Sequence, residues 1–467
     1  MAPDQAAQAD PRPEGTRPDS PQAASGDNVF ANRDFLKLWL GETVSQIGTQ
    51  VTQFALPLVA ILTLKASVLQ VGVLNALRFV PVIVVALLAG VMLDRRRRRP
   101  VLIVCSLGSA ALTGLVPLAS ATGWLSMGLL YAVAVGVGTL TVAFDVGALS
   151  YVPFLVQRRH LTDSNSKLMA SNAVAGIAGP GLAGLLIGLI TAPITLSVDA
   201  VSYLFSVAGL IAIRKPEPAP EQAGQRPSIR LSIAEGFRAV YGSRLLRVLL
   251  AQSAALNVGF GAVSTVFTVY AIRVLHLSPV RLGIAVGALQ AGALLGALGA
   301  ARVKRALGLG RTLAVSIVGV SAAPLLLLIP RDGSPAAMAL LIAGWLGHGG
   351  GIAIWNVNTI TLRQVLTPMR LLARMNATYR MLLFGALPAG AMAGGLLGSA
   401  VGLRTALVLS VIALTSPLLW IVFSPVFRLS EMPSGPLSDS PSDSLSDTPS
   451  DSTAPAADLP LSLAQEE

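Results

Sequence analysis

"GVMLDRRRRRP" runs from Gly90 to Pro100. It opens as the end of one apolar run, residues 68–92, and closes at the start of another, residues 101–120. Each run has the length that crosses a bilayer, about 20 residues. Between them stand five consecutive arginines, Arg95 to Arg99. Such clusters collect in short cytoplasmic loops of membrane proteins. The stretch therefore reads as the turn of a helical hairpin at the cytoplasmic face, and it orients everything on either side.

Composition agrees. The chain is 53% apolar and only 12% charged, against about a quarter charged in soluble domains. The class is a polytopic α-helical membrane protein. Alternating strands of about 10 residues, the mark of a membrane β-barrel, are not seen in the pattern. Glycine, at 45 residues, points to closely packed membrane helices. The single cysteine, Cys105, lies in an apolar span and rules out an intrachain disulfide. The net charge of +11 is accounted for by basic cytoplasmic loops, and no nucleic-acid partner is expected.

Hydropathy and turn signals give twelve spans: 35–62, 68–92, 101–120, 124–150, 165–190, 194–214, 245–273, 279–301, 311–330, 336–362, 374–400 and 404–427. Residues 1–30 lack an apolar core and read as a disordered cytosolic arm. Residues 31–214 form one six-helix bundle and 244–428 a second. The linker, 215–243, carries the proline-rich "RKPEPAPEQAGQRPS" and then an amphipathic helix, Ile229 to Tyr241. Residues 429–467, with Asp439, Asp443, Asp447 and Asp451 among Ser and Pro, read as a disordered acidic tail. With both termini cytoplasmic, the inner loops hold about 23 Lys or Arg, and the outer loops only Lys65, Arg273, Arg281, Arg331 and Arg404.

A shift of 211 residues aligns the two bundles. Ser67 falls on Ser278, Gly72 on Gly283, Gly136 and Gly138 on Gly347 and Gly349, Asp145 on Asn356, Arg159 on Arg370, and Asn165 on Asn376. "GLL" from Gly184 falls on "GLL" from Gly395. Internal repeats of this kind build transporters with a site near the midplane between the halves.

Three sets of residues carry a family resemblance. Gly90, Asp94, Arg95, Arg98 and Arg99 match the loop signature G-x-L-x-D-R-x-G-R-[RK] of the major facilitator superfamily, with Met92 and Arg97 as departures. "AGIAGPGLAG", Ala175 to Gly184, resembles the antiporter motif G-x3-G-P-x2-G-G through Gly179, Pro180 and Gly184, with Ala175 and Ala183 in place of glycine. "VDAVSYLFS", "IAEGFRAVYGSRLLR" and "RMNATYRMLLFGALPAG" resemble the branch that contains macrolide-efflux proteins and the enterobactin exporter. The resemblance covers about 400 residues, Asn32 to Phe427. It implies an all-α fold of two six-helix bundles and proton-driven export of a small amphipathic molecule. It also implies that Asp94 latches the cytoplasmic side by pairing with arginines and the start of the eleventh helix.

Ionisable groups inside a bilayer cost several kcal/mol and need a partner, water or a function. On the first span, Glu42, Gln46, Thr49, Gln50 and Gln53 fall within an arc of about 100°, one polar stripe. Helices one, four, seven and ten line the cavity in the superfamily. The resemblance therefore implies a wet wall made by the stripe, Asp145, Gln252, Asn257, His348, Asn356 and Asn358. Glu42 lies about seven residues in from the cytoplasmic end of its span and Asp145 about five, at similar depth. These two carboxylates are the proton-coupling candidates. Arg78, near the middle of the second span, requires a carboxylate, a carbonyl or water. Asp199 reads as structural.

No phosphate-binding loop, metal-spaced cluster or nucleophile elbow occurs in the sequence. The chain does not read as an enzyme. Its expected partners are protons, a small-molecule substrate and the bilayer, with no cofactor, no metal and a monomeric state. An importer of a nutrient or sugar, or a membrane sensor that transports nothing, is the alternative; the fifth-span motif weighs against import and the polar cavity against a sensor.

Overall fold

The computed structural model describes residues 29–93, 97–217 and 229–417. Residues 1–28, 218–228 and 418–467, which take in nearly all of both expected disordered arms, most of the proline-rich stretch and the end of the twelfth span, lie outside them, as do Asp94, Arg95 and Arg96. Among the described residues there are twelve α-helices and no strand. They are α1 (Arg33–Leu58), α2 (Val68–Leu93), α3 (Arg98–Ala121), α4 (Met127–Leu155), α5 (Leu161–Ile190), α6 (Ala192–Ala212), α7 (Ile229–Gly242), α8 (Arg244–Arg273), α9 (Pro279–Ala322), α10 (Pro335–Leu366), α11 (Met369–Ala400) and α12 (Leu403–Thr415).

The twelve helices are not one-to-one with the twelve spans. The amphipathic linker helix is α7, and the eighth and ninth spans merge into α9. That 44-residue run is broken at Gly308, whose φ of 76° an L side chain would resist. Six spans thus precede α7 and six follow it. Eight helical stretches are long and apolar enough to cross a bilayer among the described residues. The first helix is not one of them, because its polar stripe lowers its apolarity.

Local chemistry sets the helix starts. Asn32 Oδ1 accepts from the backbone N–H of Asp34 (3.1 Å) and Phe35 (3.2 Å). Ser67 and Gln70 cap α2 reciprocally, each side chain accepting the other's backbone N–H. Ser278, the repeat mate of Ser67, caps α9. Pro57 lies inside α1 and has no N–H, which frees the carbonyl four residues earlier, that of Gln53.

The repeat is visible in the packing. In the first half α1 lies against α5 and α6, and α4 against α2 and α3. In the second, α8 lies against α11 and α12, and α10 against both arms of α9. The halves meet along α2–α11 and α5–α9. Both contacts are backbone-close and depend on glycine. A Cβ on Gly72 would stand 2.8 Å from the Ala391 carbonyl and 2.9 Å from Gly395. One on its mate Gly283 would overlap the Pro180 carbonyl, and one on Gly184 that of Pro279. These contacts form a two-fold seal at the end of the molecule opposite the arginine-rich loops. The physical role of the Gly179–Gly184 motif in this structure is to let α5 approach α9. At Gly179 itself the close neighbour is Gln50 of α1.

Candidate functional site

A polar cavity of about 140 Å³ lies inside the first half, toward the arginine-rich end. Glu42, Gln46, Thr49, Gln50 and Gln53 all line it, so α1 turns its whole stripe inward. Ser45 of α1, Thr141, Phe144 and Asp145 of α4, Tyr203 of α6, Asn172 of α5 and Cys105, Ser106 and Ser109 of α3 complete the wall. Gln46 donates to the Glu42 carboxylate (2.9 Å), and Thr49 and Tyr203 share a hydrogen bond of 3.2 Å. Glu42 of α1 and Asp145 of α4 both line this cavity.

Nearer the seal, an aromatic cavity of about 230 Å³ lies between the halves. The first half supplies Gln50, Gln53, Phe54, Asn75, Arg78, Phe79 and Pro180. The second half supplies Phe260, Ser264, Phe267, Thr268, Leu289 and Trp345. Trp345 stands edge-on to Phe267 with centroids 5.4 Å apart, a favourable aromatic geometry. A third space, about 190 Å³, is lined by residues of both walls, among them Thr49, Arg78, Asp145 and Tyr203. Arg78 Nη1 donates to the Gln53 carbonyl at 3.1 Å, the oxygen that Pro57 leaves without its helical donor. Arg78, half-buried on α2, thus takes up the oxygen that the proline break in α1 frees.

The second-half candidates stand away from these three walls. His348 does not line these cavities. It is fully buried between α9 and α10, with Nδ1 2.7 Å from the Val320 carbonyl and its ring stacked on Phe260. Three residues earlier on α10, about 60° around the helix, Trp345 takes the cavity face. Asn358 is buried and donates to the Ile354 carbonyl of its own helix. Gln252 is buried with its Nε2 unpartnered. Asn257 donates to the Ser253 carbonyl at 2.9 Å. It shares a helix face with Phe260 and Ser264, one turn toward the arginine-rich end. Asn356 is exposed on the Trp345 face, three turns away in the same direction. Neither is among the residues lining the three cavities. Asp199 is buried, accepts from Ser202 Oγ at 3.1 Å and packs on Gly48.

Of the loop signature, Gly90 falls in α2, and Arg98 and Arg99 open α3. Their backbone N–H groups donate to the Glu217 carboxylate at 2.6 and 3.0 Å, and Arg99 also donates to the Ile211 carbonyl at 2.8 Å. At the start of α11 the residue paired with Arg374 is Glu235 of α7. Sequence reasoning missed Glu217 and Glu235 because each acts on an element distant in the chain. It also missed the aromatic wall, whose Phe and Trp are indistinguishable from lipid-facing residues by composition.

Two packed six-helix bundles around a central polar and aromatic cavity define the class: a helical membrane transporter of the major facilitator superfamily. More narrowly, residues 24–449 match the model of the family MFS_3, described as "Transmembrane secretion effector", and the chain belongs to that family. It is 25% identical over 355 residues to the enterobactin exporter EntS of Shigella flexneri, covering 74% of this chain and 80% of the relative. The EntS protein of Salmonella choleraesuis is 25% identical over 356 residues, with coverages of 74% and 81%. Among solved structures, the nucleoside transporter NupG superposes with a TM-score of 0.70 at 13% identity, covering 85% of this chain and 99% of that one. A bacterial homolog of the human lysosomal transporter Spinster, in an inward-facing and unoccupied conformation, gives 0.67 at 15% identity, with coverages of 86% and 98%. At these identities the structures speak for the fold.

Proposed function

We propose that this protein is a proton-coupled exporter of a small amphipathic molecule, a drug or a secondary metabolite such as a siderophore, in the bacterial plasma membrane. The observation that carries the reading is the meeting of Glu42 and Asp145 in one polar cavity on the arginine-rich side of a sealed glycine interface. By the positive-inside bias the arginine-rich end is cytoplasmic, so both termini are inside and the structure is inward-facing. Similarity to enterobactin exporters supports outward transport. In the cycle the halves rock about the central cavity. Protons reach Glu42 and Asp145 when the cavity faces out, and leave to the cytoplasm when it faces in. The Gly179–Gly184 segment gives α5 the surface on which that rocking turns, and Asp94 serves as the cytoplasmic latch. The proton gradient is the energy source, with no bound cofactor, and the working unit is a monomer.

The test is flux in proteoliposomes. Glu42→Gln and Asp145→Asn should retain substrate exchange without a gradient and lose export driven by a pH gradient. Wild-type pH-driven rates in both variants would end the proton-coupling assignment.

A further inference from the structure

Arg78 is the charge in the central region that the proposed transport reading does not use. It lines both the aromatic cavity and the bridging space beside it. Among the described residues no carboxylate lies within ion-pair distance of it; the ion pairs there join Lys37 to Asp34, Lys167 to Asp163 and Arg374 to Glu235. Its one hydrogen bond goes to the Gln53 carbonyl. A guanidinium has five N–H donors in a planar fork, so one bond to a neutral carbonyl leaves most of the fork without a protein partner and the charge without a counter-charge. An arginine at this depth is costly, and a leucine, as at its repeat mate Leu289, would avoid the cost.

The rest of the wall says what would answer it. Phe54, Phe79, Phe260, Phe267 and Trp345 all face the same cavity. Flat apolar walls of this kind hold aromatic rings by edge and offset contacts. The side-chain amides of Gln50, Gln53 and Asn75 add hydrogen-bonding groups without adding charge. A cation in a planar fork, set in an aromatic box, matches a ring bearing a carboxylate, phenolate or sulfonate, which the fork engages by charge-assisted hydrogen bonds.

We infer that the aromatic cavity is the substrate site and that it selects an aromatic anion, with Arg78 as the group that binds its negative charge. This rests on the export reading above and names its substrate class. Glu42 lies about 16 Å along α1 from Gln53 and, of the three cavities, lines only the polar one, so its proton and the substrate occupy separate levels, whereas Asp145 shares the bridging space with Arg78. An anion also leaves the cytoplasm with the membrane potential, which contributes whatever the carboxylates do.

Binding to the full chain in lipid nanodiscs, with no gradient, tests this separately from transport. The probes are 2-naphthoate and its uncharged isostere 2-naphthamide. The wild-type chain should bind the acid about tenfold or more tightly than the amide, the worth of one desolvated charge contact. Arg78→Gln should abolish that preference while amide binding persists, and the persistence reports an intact cavity. Arg78→Lys should restore part of the preference. Equal affinity of the wild-type chain for acid and amide, binding of neither, or a preference that survives Arg78→Gln would each overturn the inference. If Arg78→Gln binds nothing, the wild-type preference and its partial retention in Arg78→Lys decide. Failure of pH-driven export with this preference intact would overturn proton coupling and leave the substrate class standing.

Discussion

The two halves share a scaffold and differ in charge. Shifting α1 by 211 residues lays its stripe on α8: Glu42 on Ser253, Gln46 on Asn257, Thr49 on Phe260, Gln50 on Gly261 and Gln53 on Ser264. Asp145 falls on Asn356 and Arg78 on Leu289. Every charge in the first-half cavity wall is neutral in the second. The seal behaves oppositely: Gly72 and Gly283 do the same job in the two halves, as do Gly184 and Gly395. The hinge-like contacts kept the symmetry of the repeat, because two bundles can rock about a common axis only if both interfaces allow it. The cavity lost it, because a proton and an asymmetric substrate need only one copy of each charge.

The sharpest way to break this comparison is to neutralise the charges and their mates in parallel. On the proposed reading, Asp145→Asn lowers pH-driven export by about tenfold or more, whereas Asn356→Ala changes it by less than about twofold. Similar losses from both would mean the halves share the coupling. Next in size is the seal. Gly72→Leu and Gly283→Leu each force a side chain into facing backbone, at about 1–3 kcal/mol. Each should shift the closed-seal population by about 5- to 150-fold. Maleimide labelling of a cysteine at position 53, added from outside to cells carrying a Cys105→Ser background, should rise in both variants to a similar degree. A rise in only one would show that the seal, too, is asymmetric.

Trp345→Ala probes the aromatic wall alone. It should weaken binding of an aromatic probe by about two- to twelvefold, from lost ring contacts of about 0.5–1.5 kcal/mol. The pH dependence of export should stay as in the wild type; a changed pH profile would place a coupling role in the second half. The smallest effect is Glu217→Gln. It removes a charged cap from the first turn of α3 and should lower the thermal stability of the purified protein by about 0.5–1 kcal/mol, with flux unchanged.

Much of this was legible in the sequence. Hydropathy, arginine placement and the 211-residue shift determine a twelve-span helical protein of two related bundles, since bilayer length and repeat identity are local, additive signals. The stripe on α1 was equally legible, because helical period alone puts Glu42, Gln46, Thr49, Gln50 and Gln53 on one face. Only the tertiary structure decided which faces turn inward in the second half. His348 and Trp345 are separated by about 60° of helix rotation, and that rotation is fixed by how Gly349 and its neighbours let α10 settle on α9. The partner of Arg78 was hidden for a related reason. It is a backbone oxygen freed by a proline four residues on, brought within 3.1 Å by packing between two helices, and a carbonyl leaves no mark in a sequence that says whom it will meet.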